Sequence, residues 1–208
     1  MLTGIILAGG RNSRMNGRNK ALLFYEGERF IERQIKAMQS ICMRLIIVTN
    51  DASSYTKWVK DDMIYIPDVY AGHGPLSGFH AGFLHVESEF AWVVGCDYPK
   101  LSASAALWML SRLRASDYDA VLPVVDGKHQ MLHGVYRPHR MLPSIIQRLE
   151  SCQYRLSGLL DSMHWLGLGE SDWLERGIDY HFTEDVDTEE QYTALLQEWK
   201  GGSNPHVT

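Results

Sequence analysis

The chain has 208 residues, of which 45% are hydrophobic and 22% charged, and its formal net charge is −5 at pH 7. This composition excludes disordered and fibrous classes, and the acidic balance argues against nucleic acid as the main partner. No apolar run reaches the ~20 residues of a membrane helix, so no membrane partner is expected. The start of the chain lacks the basic segment of a signal peptide. Three widely spaced cysteines without a C-x-x-C pair indicate reduced thiols. We therefore expect a cytoplasmic protein.

Strand-like and helix-like segments alternate along the chain. Apolar runs predict strands over residues 4–8, 45–48, 63–66, 91–96, 119–125 and 131–136. Apolar periodicity and capping residues predict helices over residues 30–40, 53–58, 77–87, 102–114, 139–150, 157–164 and 188–199. Ser53 or Ser54 is the expected cap of the second helix, and Ser102 that of the fourth. Signals are weak over 165–182, where only a short strand at 180–182 is suggested.

This alternation predicts a mostly parallel sheet covered by helices on both faces. We therefore expect one three-layer α/β/α, Rossmann-like domain over residues 1–200, followed by a loose tail over 201–208. Ligands of such sheets bind beyond the carboxyl ends of the strands. The residues that follow each predicted strand are thus the first candidates for a functional site.

A glycine-rich, basic segment follows the first predicted strand. Gly9 and Gly10 allow the backbone to approach an anion closely, and successive N–H groups can surround a phosphate. Four cations lie within ten residues that contain no acid, namely Arg11, Arg14, Arg18 and Lys20. The spacing fits neither a Walker A loop nor G-x-G-x-x-G. A solvated basic turn is the competing interpretation, but the preceding strand and the clustered cations favour phosphate binding.

Two aspartates are candidate metal ligands. Asp97 follows the fourth predicted strand, where a carboxylate can hold Mg²⁺ against substrate phosphates. Its competing role as a helix cap is less favoured because Ser102 is the expected cap. Asp187 is a candidate second ligand. A capping box, either Asp187 with Glu190 or Thr188 with Gln191, is an equally good interpretation.

Other segments carry weaker signals. Asp68 follows the third predicted strand and can face the same cleft, but a long loop in which Ser77 caps the next helix explains that segment equally well. His129 and His133 are four residues apart, yet the alternating pattern around them indicates a strand, so they do not form a helical zinc pair. Cys96 is most simply a small core residue. No G-x-S-x-G motif occurs, which disfavours a serine hydrolase.

In this order, these residues resemble the molybdenum cofactor guanylyltransferase family, whose fold is Rossmann-like and of the glycosyltransferase-A type. The matching motifs are Leu7-Ala8-Gly9-Gly10, Arg14-Met15 with Lys20, Gly74-Pro75-Leu76-Ser77-Gly78, Cys96-Asp97-Tyr98-Pro99, the block Gln130, Leu132, His133, Tyr136 and Arg137, and Asp185-Val186-Asp187-Thr188-Glu189-Glu190. The resemblance extends from residue 4 to about residue 196. The first, second and fourth motifs are typical of nucleotidyltransferases generally, whereas only the ensemble indicates guanylyl transfer.

The chain departs from the family pattern at three places. Asn16 is an extra residue between Met15 and Gly17. Asn19 stands where an aspartate commonly precedes the lysine. Asp185 and Asp187 replace two asparagines. The first two departures affect the phosphate-binding segment, and the third changes the charge where a second substrate or a metal would bind.

The resemblance implies transfer of GMP from GTP to molybdopterin, with or without molybdenum, to give a guanine dinucleotide cofactor and pyrophosphate. The implied cofactor is Mg²⁺, held by Asp97, with Asp187 as the candidate second ligand. Lys20, Arg14 and the Gly9-Gly10 amides would stabilise the departing pyrophosphate. The implied nucleotide-binding residues also include Leu7, Ala8, Asp68 and Gly78. The resemblance allows a transient contact with proteins that mature molybdoenzymes.

Two other functions stay open on the sequence. The first is a related nucleotidyltransferase that uses CTP or another acceptor. The second is a non-catalytic module that binds or chaperones molybdopterin, against which the presence of Lys20 and Asp97 argues.

Overall fold

A computed structural model describes residues 1–9, 17–57, 63–70 and 72–202. Its strands are β1 (Leu2–Leu7), β2 (Phe24–Tyr25), β3 (Glu28–Arg29), β4 (Arg44–Val48), β5 (Ile64–Ile66), β6 (Phe90–Gly95), β7 (Ala120–Val125), β8 (Lys128–His129), β9 (His133–Tyr136) and β10 (Trp165–Leu168). Its helices are α1 (Phe30–Gln39), α2 (Pro75–Phe83), α3 (Ala103–Arg114), α4 (Pro138–Glu150), α5 (Glu170–Glu175) and α6 (Glu189–Gly202). Among the described residues, none of these helices has both the length and the apolar character needed to cross a membrane.

The main sheet has the order β10-β7-β9-β6-β1-β4-β5, and β8 pairs with β7. Strands β5, β4, β1 and β6 are parallel neighbours, as are β7 and β10. Only β9, between β6 and β7, and the short β8 run antiparallel to their neighbours in this sheet. The mostly parallel α/β fold expected from the sequence is therefore confirmed.

Helices cover both faces of the sheet, which gives three layers. Alternate residues of β1 enter different cores, because successive side chains of a strand point to opposite faces. Ile6 packs with residues of α1 and α3, whereas Ile5 packs with residues of α2 and α4. Every residue of β1 and β6 is buried, which explains why both strands are continuous apolar runs in the sequence.

Several local predictions were wrong, and each has a local cause. The predicted strand at 180–182 is a 3-10 helix, Tyr180–Thr183, whose cap is the side chain of Asp179. The predicted helix at 53–58 is a 3-10 helix, Ala52–Ser54, capped by Asp51 rather than by a serine; residue 58 lies outside the described residues. Helix α2 begins at Pro75 after Gly74, so Ser77 lies inside the helix and is not its cap.

The segment from residue 156 onward holds elements that the sequence did not predict. A 3-10 helix, Leu156–Asp161, replaces most of the predicted helix at 157–164. Strand β10 and helix α5 follow it. Trp165 and Leu166 are only partly covered in β10, because this strand lies at the edge of the sheet, and edge strands lack the continuous apolar pattern of β1. Helix α6 runs two residues into the segment assigned to the tail, and residues 203–208 lie outside the described residues.

Candidate active site

A lysine and three aspartates lie close together beyond the carboxyl ends of the parallel strands. The ammonium of Lys20 contacts Asp97 Oδ2 at 3.3 Å and forms a close ion pair with Asp187. Lys20 opens the short 3-10 helix Lys20–Leu22, which follows the glycine-rich segment. Asp97 comes two residues after β6. The sequence placed both residues beyond strand ends, and the structure brings them together.

Asp97 occupies a space that a glycine leaves open. A Cβ atom added to Gly95, the last residue of β6, would lie 2.5 Å from Asp97 Oδ1, so no larger residue fits there without displacing the carboxylate. That oxygen is buried and has no hydrogen-bond partner among the described residues. A buried carboxylate oxygen without a donor is an open ligand for a cation.

Gln34 of α1 stabilises the turn that carries Asp97 by two hydrogen bonds. Its Nε2 atom donates to the carbonyl oxygens of Gly95 and Tyr98, both at 2.9 Å. Gln34 was not among the residues predicted from the sequence. The available signal was a polar residue on the apolar face of a helix, since Gln34 shares that face with Ile31, Ile35 and Met38.

Asp185 and Asp187 are placed by the buried residue between them. Val186 enters a small core with Leu23, Tyr25, Phe30 and Leu195, and its N–H donates to the carbonyl oxygen of Asp97 at 2.9 Å. The two flanking carboxylates therefore face Asp97. One oxygen from each of the three aspartates lies within 4.8 Å of the other two. Asp185 was not predicted as a ligand and stood out in the sequence only as a departure from the family pattern.

The structure distinguishes the two capping boxes proposed for the start of α6. Gln191 Oε1 accepts from the backbone N–H groups of Asp187 and Thr188, at 2.7 and 2.9 Å. Thr188 Oγ1 in turn accepts from the N–H of Gln191 at 3.2 Å. Thr188 and Gln191 therefore form the reciprocal capping pair. The Asp187 side chain is turned to Lys20 instead.

The charges of this cluster shift one another's pKa. Burial raises the pKa of Asp97 above its ordinary value, although the nearby Lys20 ammonium opposes the shift. Burial also raises the pKa of Asp185, and the charges of Asp97 and Asp187 add to the effect. Burial lowers the pKa of Lys20, but its hydrogen bond to Asp187 and the two carboxylate charges outweigh that effect, so its pKa lies above the ordinary value. Lys20 therefore stays positively charged. Among the residues described, it is the one cation in a cluster of three carboxylates.

The same ends of the strands hold four more of the residues predicted to bind nucleotide, namely Leu7, Ala8, Gly9 and Gly78. Leu7 ends β1 and packs on Gly78 of α2, where an added Cβ would approach Leu7 Cδ2 to 3.2 Å. Gly78 therefore lets α2 pack closely against β1. Ala8 donates to Val48 at 2.9 Å, and Gly9 is exposed with open space around it. Gly10 and Arg14 lie outside the described residues.

Asp68 follows β5, three strands away from β6, which is about 14 Å across the sheet. It therefore does not join the cluster around Lys20. Its carboxylate accepts from Ser77 Oγ at 2.7 Å and from the N–H of Tyr70 at 3.0 Å. These bonds tie the loop after β5 to α2, and each oxygen keeps a further lone pair for a ligand.

Residues of the block from Gln130 to Arg137 lie at opposite ends of the strands, because β9 runs antiparallel to β6. Gln130 accepts from the Tyr98 hydroxyl at 3.2 Å, next to Asp97. Arg137 lies at the opposite end, where it pairs with Glu89 and donates to the carbonyl oxygen of Leu113 at 3.0 Å. We therefore interpret Arg137 as a structural residue.

His133 lies between the two segments that supply the carboxylates. Its ring packs edge-on against Tyr98 and Phe182, with ring centroids 5.2 and 5.0 Å away. It is completely buried, and neither ring nitrogen has a hydrogen-bond partner within the described part of the chain. Burial lowers the pKa of His133 to about 3. The imidazole is therefore neutral at physiological pH.

We expect His133 to make the protein sensitive to acid. The unfolded chain protonates this residue near its ordinary pKa of 6.5, whereas the folded protein does so only near 3, so stability is lost as the pH falls from 6.5 toward 3. At pH 5 the loss should be about 2 kcal/mol relative to pH 8. Urea unfolding at both values should show a smaller loss in His133→Phe than in the parent. The exposed His139→Gln variant is the control. Parallel losses in parent and His133→Phe would refute the assignment.

A Rossmann-like sheet with a lysine and carboxylates at the carboxyl ends of its strands is typical of nucleotide-binding α/β proteins. The family model described as "MobA-like NTP transferase domain" matches residues 4–165, a range that includes Lys20, Asp68 and Asp97 and ends before Asp185. The chain belongs to this family of nucleotidyltransferases.

Individual relatives and solved structures agree with this family. A Clostridium perfringens protein named probable molybdenum cofactor guanylyltransferase is 37% identical over 132 residues, which is 64% of the chain and 64% of that relative. A Bacillus cytotoxicus protein with the same name is 28% identical over 94% of the chain and 96% of its own length. The crystal structure of molybdopterin-guanine dinucleotide biosynthesis protein A from Archaeoglobus fulgidus superposes with a TM-score of 0.80 at 16% identity, covering 96% of the chain and 99% of that structure. At this identity the structural likeness shows the fold.

Proposed function

We propose that the protein transfers GMP from GTP to the terminal phosphate of molybdopterin or molybdenum-molybdopterin, releasing pyrophosphate. The observation that carries the proposal is the Lys20 ammonium held between Asp97 and Asp187 at the end of the glycine-rich segment. Such a site offers a positive charge to the triphosphate and negative charges to the cation that accompanies it. Family membership and the names of the relatives support the same role.

The three aspartates fit a divalent cation. Asp97, Asp185 and Asp187 offer oxygen ligands, which Mg²⁺ prefers, and Asp97 Oδ1 has no donor among the described residues. We infer that Asp97 and Asp187 hold Mg²⁺ and that Asp185 adds a third carboxylate. When bound, Mg²⁺ would neutralise charge on the triphosphate of the substrate.

The reaction needs positioning more than proton transfer. An oxygen of the molybdopterin phosphate, already an anion at neutral pH, attacks the α-phosphorus of GTP. The bond to the β-phosphate breaks, and pyrophosphate leaves with that electron pair. Lys20 and Arg14, with the Gly9 and Gly10 amides, stabilise the negative charge on the departing group. No general base is required, and His133 is buried and faces aromatic rings rather than the carboxylates.

The base and ribose would bind beyond the carboxyl ends of β1, β4 and β5. Leu7, Ala8 and Gly78 lie where β1 ends and α2 packs against it, and Asp68 lies farther along, after β5. Guanine presents the N1–H and N2–H₂ donors on one edge, and a carboxylate or backbone carbonyl there would accept from them. Cytosine lacks this donor pair and would leave a buried acceptor unpaired, which costs ~1–3 kcal/mol.

We therefore expect a preference of roughly tenfold to hundredfold for GTP over CTP. The test is a competition assay with both nucleotides at equal concentration, Mg²⁺ and a molybdopterin acceptor. Predominant guanylyl product supports the proposal. Equal or larger amounts of cytidylyl product would reject the guanine assignment but keep nucleotidyl transfer. Molybdopterin binding without any product would instead identify a non-catalytic module.

A further inference from the structure

A chain of hydrogen bonds joins the two ends of the glycine-rich segment. Asn19 Nδ2 donates to the hydroxyl of Tyr55 at 2.9 Å, and that hydroxyl donates to the carbonyl oxygen of Ala8 at 3.2 Å. Ala8 directly precedes the segment from Gly9 to Arg18, and Asn19 directly follows it. Lys20 is the next residue. Tyr55 comes from a different part of the chain and is 1% exposed.

The direction of these bonds depends on the Asn19 amide. A tyrosine hydroxyl has one proton, so it can donate to only one acceptor at a time. The Asn19 Nδ2 group supplies a donor to Tyr55, and the tyrosine proton then has two acceptors within reach, the Ala8 carbonyl oxygen at 3.2 Å and Asn19 Oδ1 at 3.3 Å. Since Asn19 already donates to this hydroxyl, we assign the proton to Ala8. The other amide atom, Oδ1, accepts from the N–H of Ala21 at 3.1 Å and caps the 3-10 helix that begins at Lys20. Burial raises the pKa of Tyr55 to about 12, so its hydroxyl keeps that proton.

From this geometry we propose that Asn19 and Tyr55 are positioning residues that fix the Ala8 backbone relative to the Lys20 ammonium. Under the proposed function, on which this inference rests, Ala8 lies beside the base and ribose and Lys20 beside the phosphates. The Asn19–Tyr55–Ala8 chain would then set the spacing between the two halves of the nucleotide site. It does so without touching the nucleotide.

This role requires the amide of Asn19 rather than a carboxylate. An aspartate would still cap the 3-10 helix through one oxygen, but it has no N–H to donate. The Tyr55 proton would then be drawn to the carboxylate, and the Ala8 carbonyl would lose its donor. Replacement of Asn19 by aspartate therefore removes the bond from Tyr55 to Ala8 while keeping the size of the side chain and its cap.

The test compares Asn19→Asp, Tyr55→Phe and the double variant with the parent. Each single change should weaken binding of GTP with Mg²⁺ and lower kcat/KM for GTP by about tenfold, while KM for the molybdopterin acceptor stays unchanged. Because both changes break the same chain, the double variant should lose no more than the worse single variant. Tyr65→Phe is the matched control, since the Tyr65 hydroxyl is buried without a partner among the described residues.

Titration calorimetry and turnover separate the two proposals, and thermal melting verifies that each variant is folded. Parent-like affinity and kcat/KM in both single variants would overturn the positioning role. Additive losses in the double variant would also overturn it. If the parent binds GTP but transfers nothing, the proposed function fails, and the binding data still decide the role of Asn19 and Tyr55. A Tyr55→Phe protein that does not fold leaves the decision to Asn19→Asp, which keeps the buried ring.

Discussion

Replacement of Asp97 by asparagine should reduce nucleotidyl transfer by ~10²-fold or more. The amide keeps the size of the side chain in the space above Gly95, but it removes the negative charge that faces Lys20 and replaces one of the two carboxylate oxygens by an NH₂ group, which cannot bind a cation. The fold should persist, because burial already opposes the charged form of this residue and raises its pKa. Single-turnover assays at saturating Mg²⁺ measure the loss, and thermal melting measures the stability.

The matched control for this experiment is Asp161→Asn. Asp161 is an exposed carboxylate at the end of a 3-10 helix, and it does not belong to the cluster around Lys20. This variant should turn over like the parent. Near-normal transfer by Asp97→Asn would show that Asp97 holds neither the cation nor Lys20 in the reaction.

Replacement of Lys20 by methionine should weaken triphosphate binding and slow transfer by ~10²-fold. It should also change the response to Mg²⁺ alone. In the parent, the Lys20 ammonium contacts the same carboxylates that would hold the metal, so the two cations compete. Without Lys20, the three aspartates repel one another, and Mg²⁺ should raise the melting temperature more in the variant than in the parent.

Melting curves with increasing Mg²⁺, and calorimetry with GTP, measure both effects. Lys128→Met is the control, because Lys128 is exposed in β8, away from the cluster. An equal Mg²⁺ response in the parent and Lys20→Met would mean that the metal does not use the carboxylates around Lys20. Unchanged GTP affinity at low salt would contradict the phosphate-binding interpretation.

Features that depend on local sequence patterns, such as apolar runs and the residues directly after strands, could be predicted. Continuous apolar runs indicated β1, β4 and β6, and the position of ligands in parallel sheets directed attention to Lys20, Asp68 and Asp97. Helix α3 was predicted because Ser102 and the basic residues of its last turn are local signals, and its cap was confirmed. Such predictions need only residues close together in the chain.

Features that depend on distant contacts were missed. Gln34 serves the Asp97 turn from 61 residues away, and Tyr55 serves Ala8 from 47 residues away. The β2–β3 hairpin is only two residues long in each strand and is stabilised by α6, which no local pattern shows. Asp187 was left undecided between two roles because the choice depends on whether Gln191 pairs with Thr188, which is a matter of side-chain geometry.

The hydrogen bond from Val186 to Asp97 has a consequence for biosynthesis of the protein. The central strands and Asp97 leave the ribosome early, but Asp185 and Asp187 are translated about 90 residues later, which takes roughly 5–20 s. Until α6 has emerged and packed on the β2–β3 hairpin, the nascent chain has only one of its three clustered aspartates in place. The complete cluster of three aspartates therefore forms only when synthesis is nearly finished, and chains released early by premature termination would lack Asp185 and Asp187.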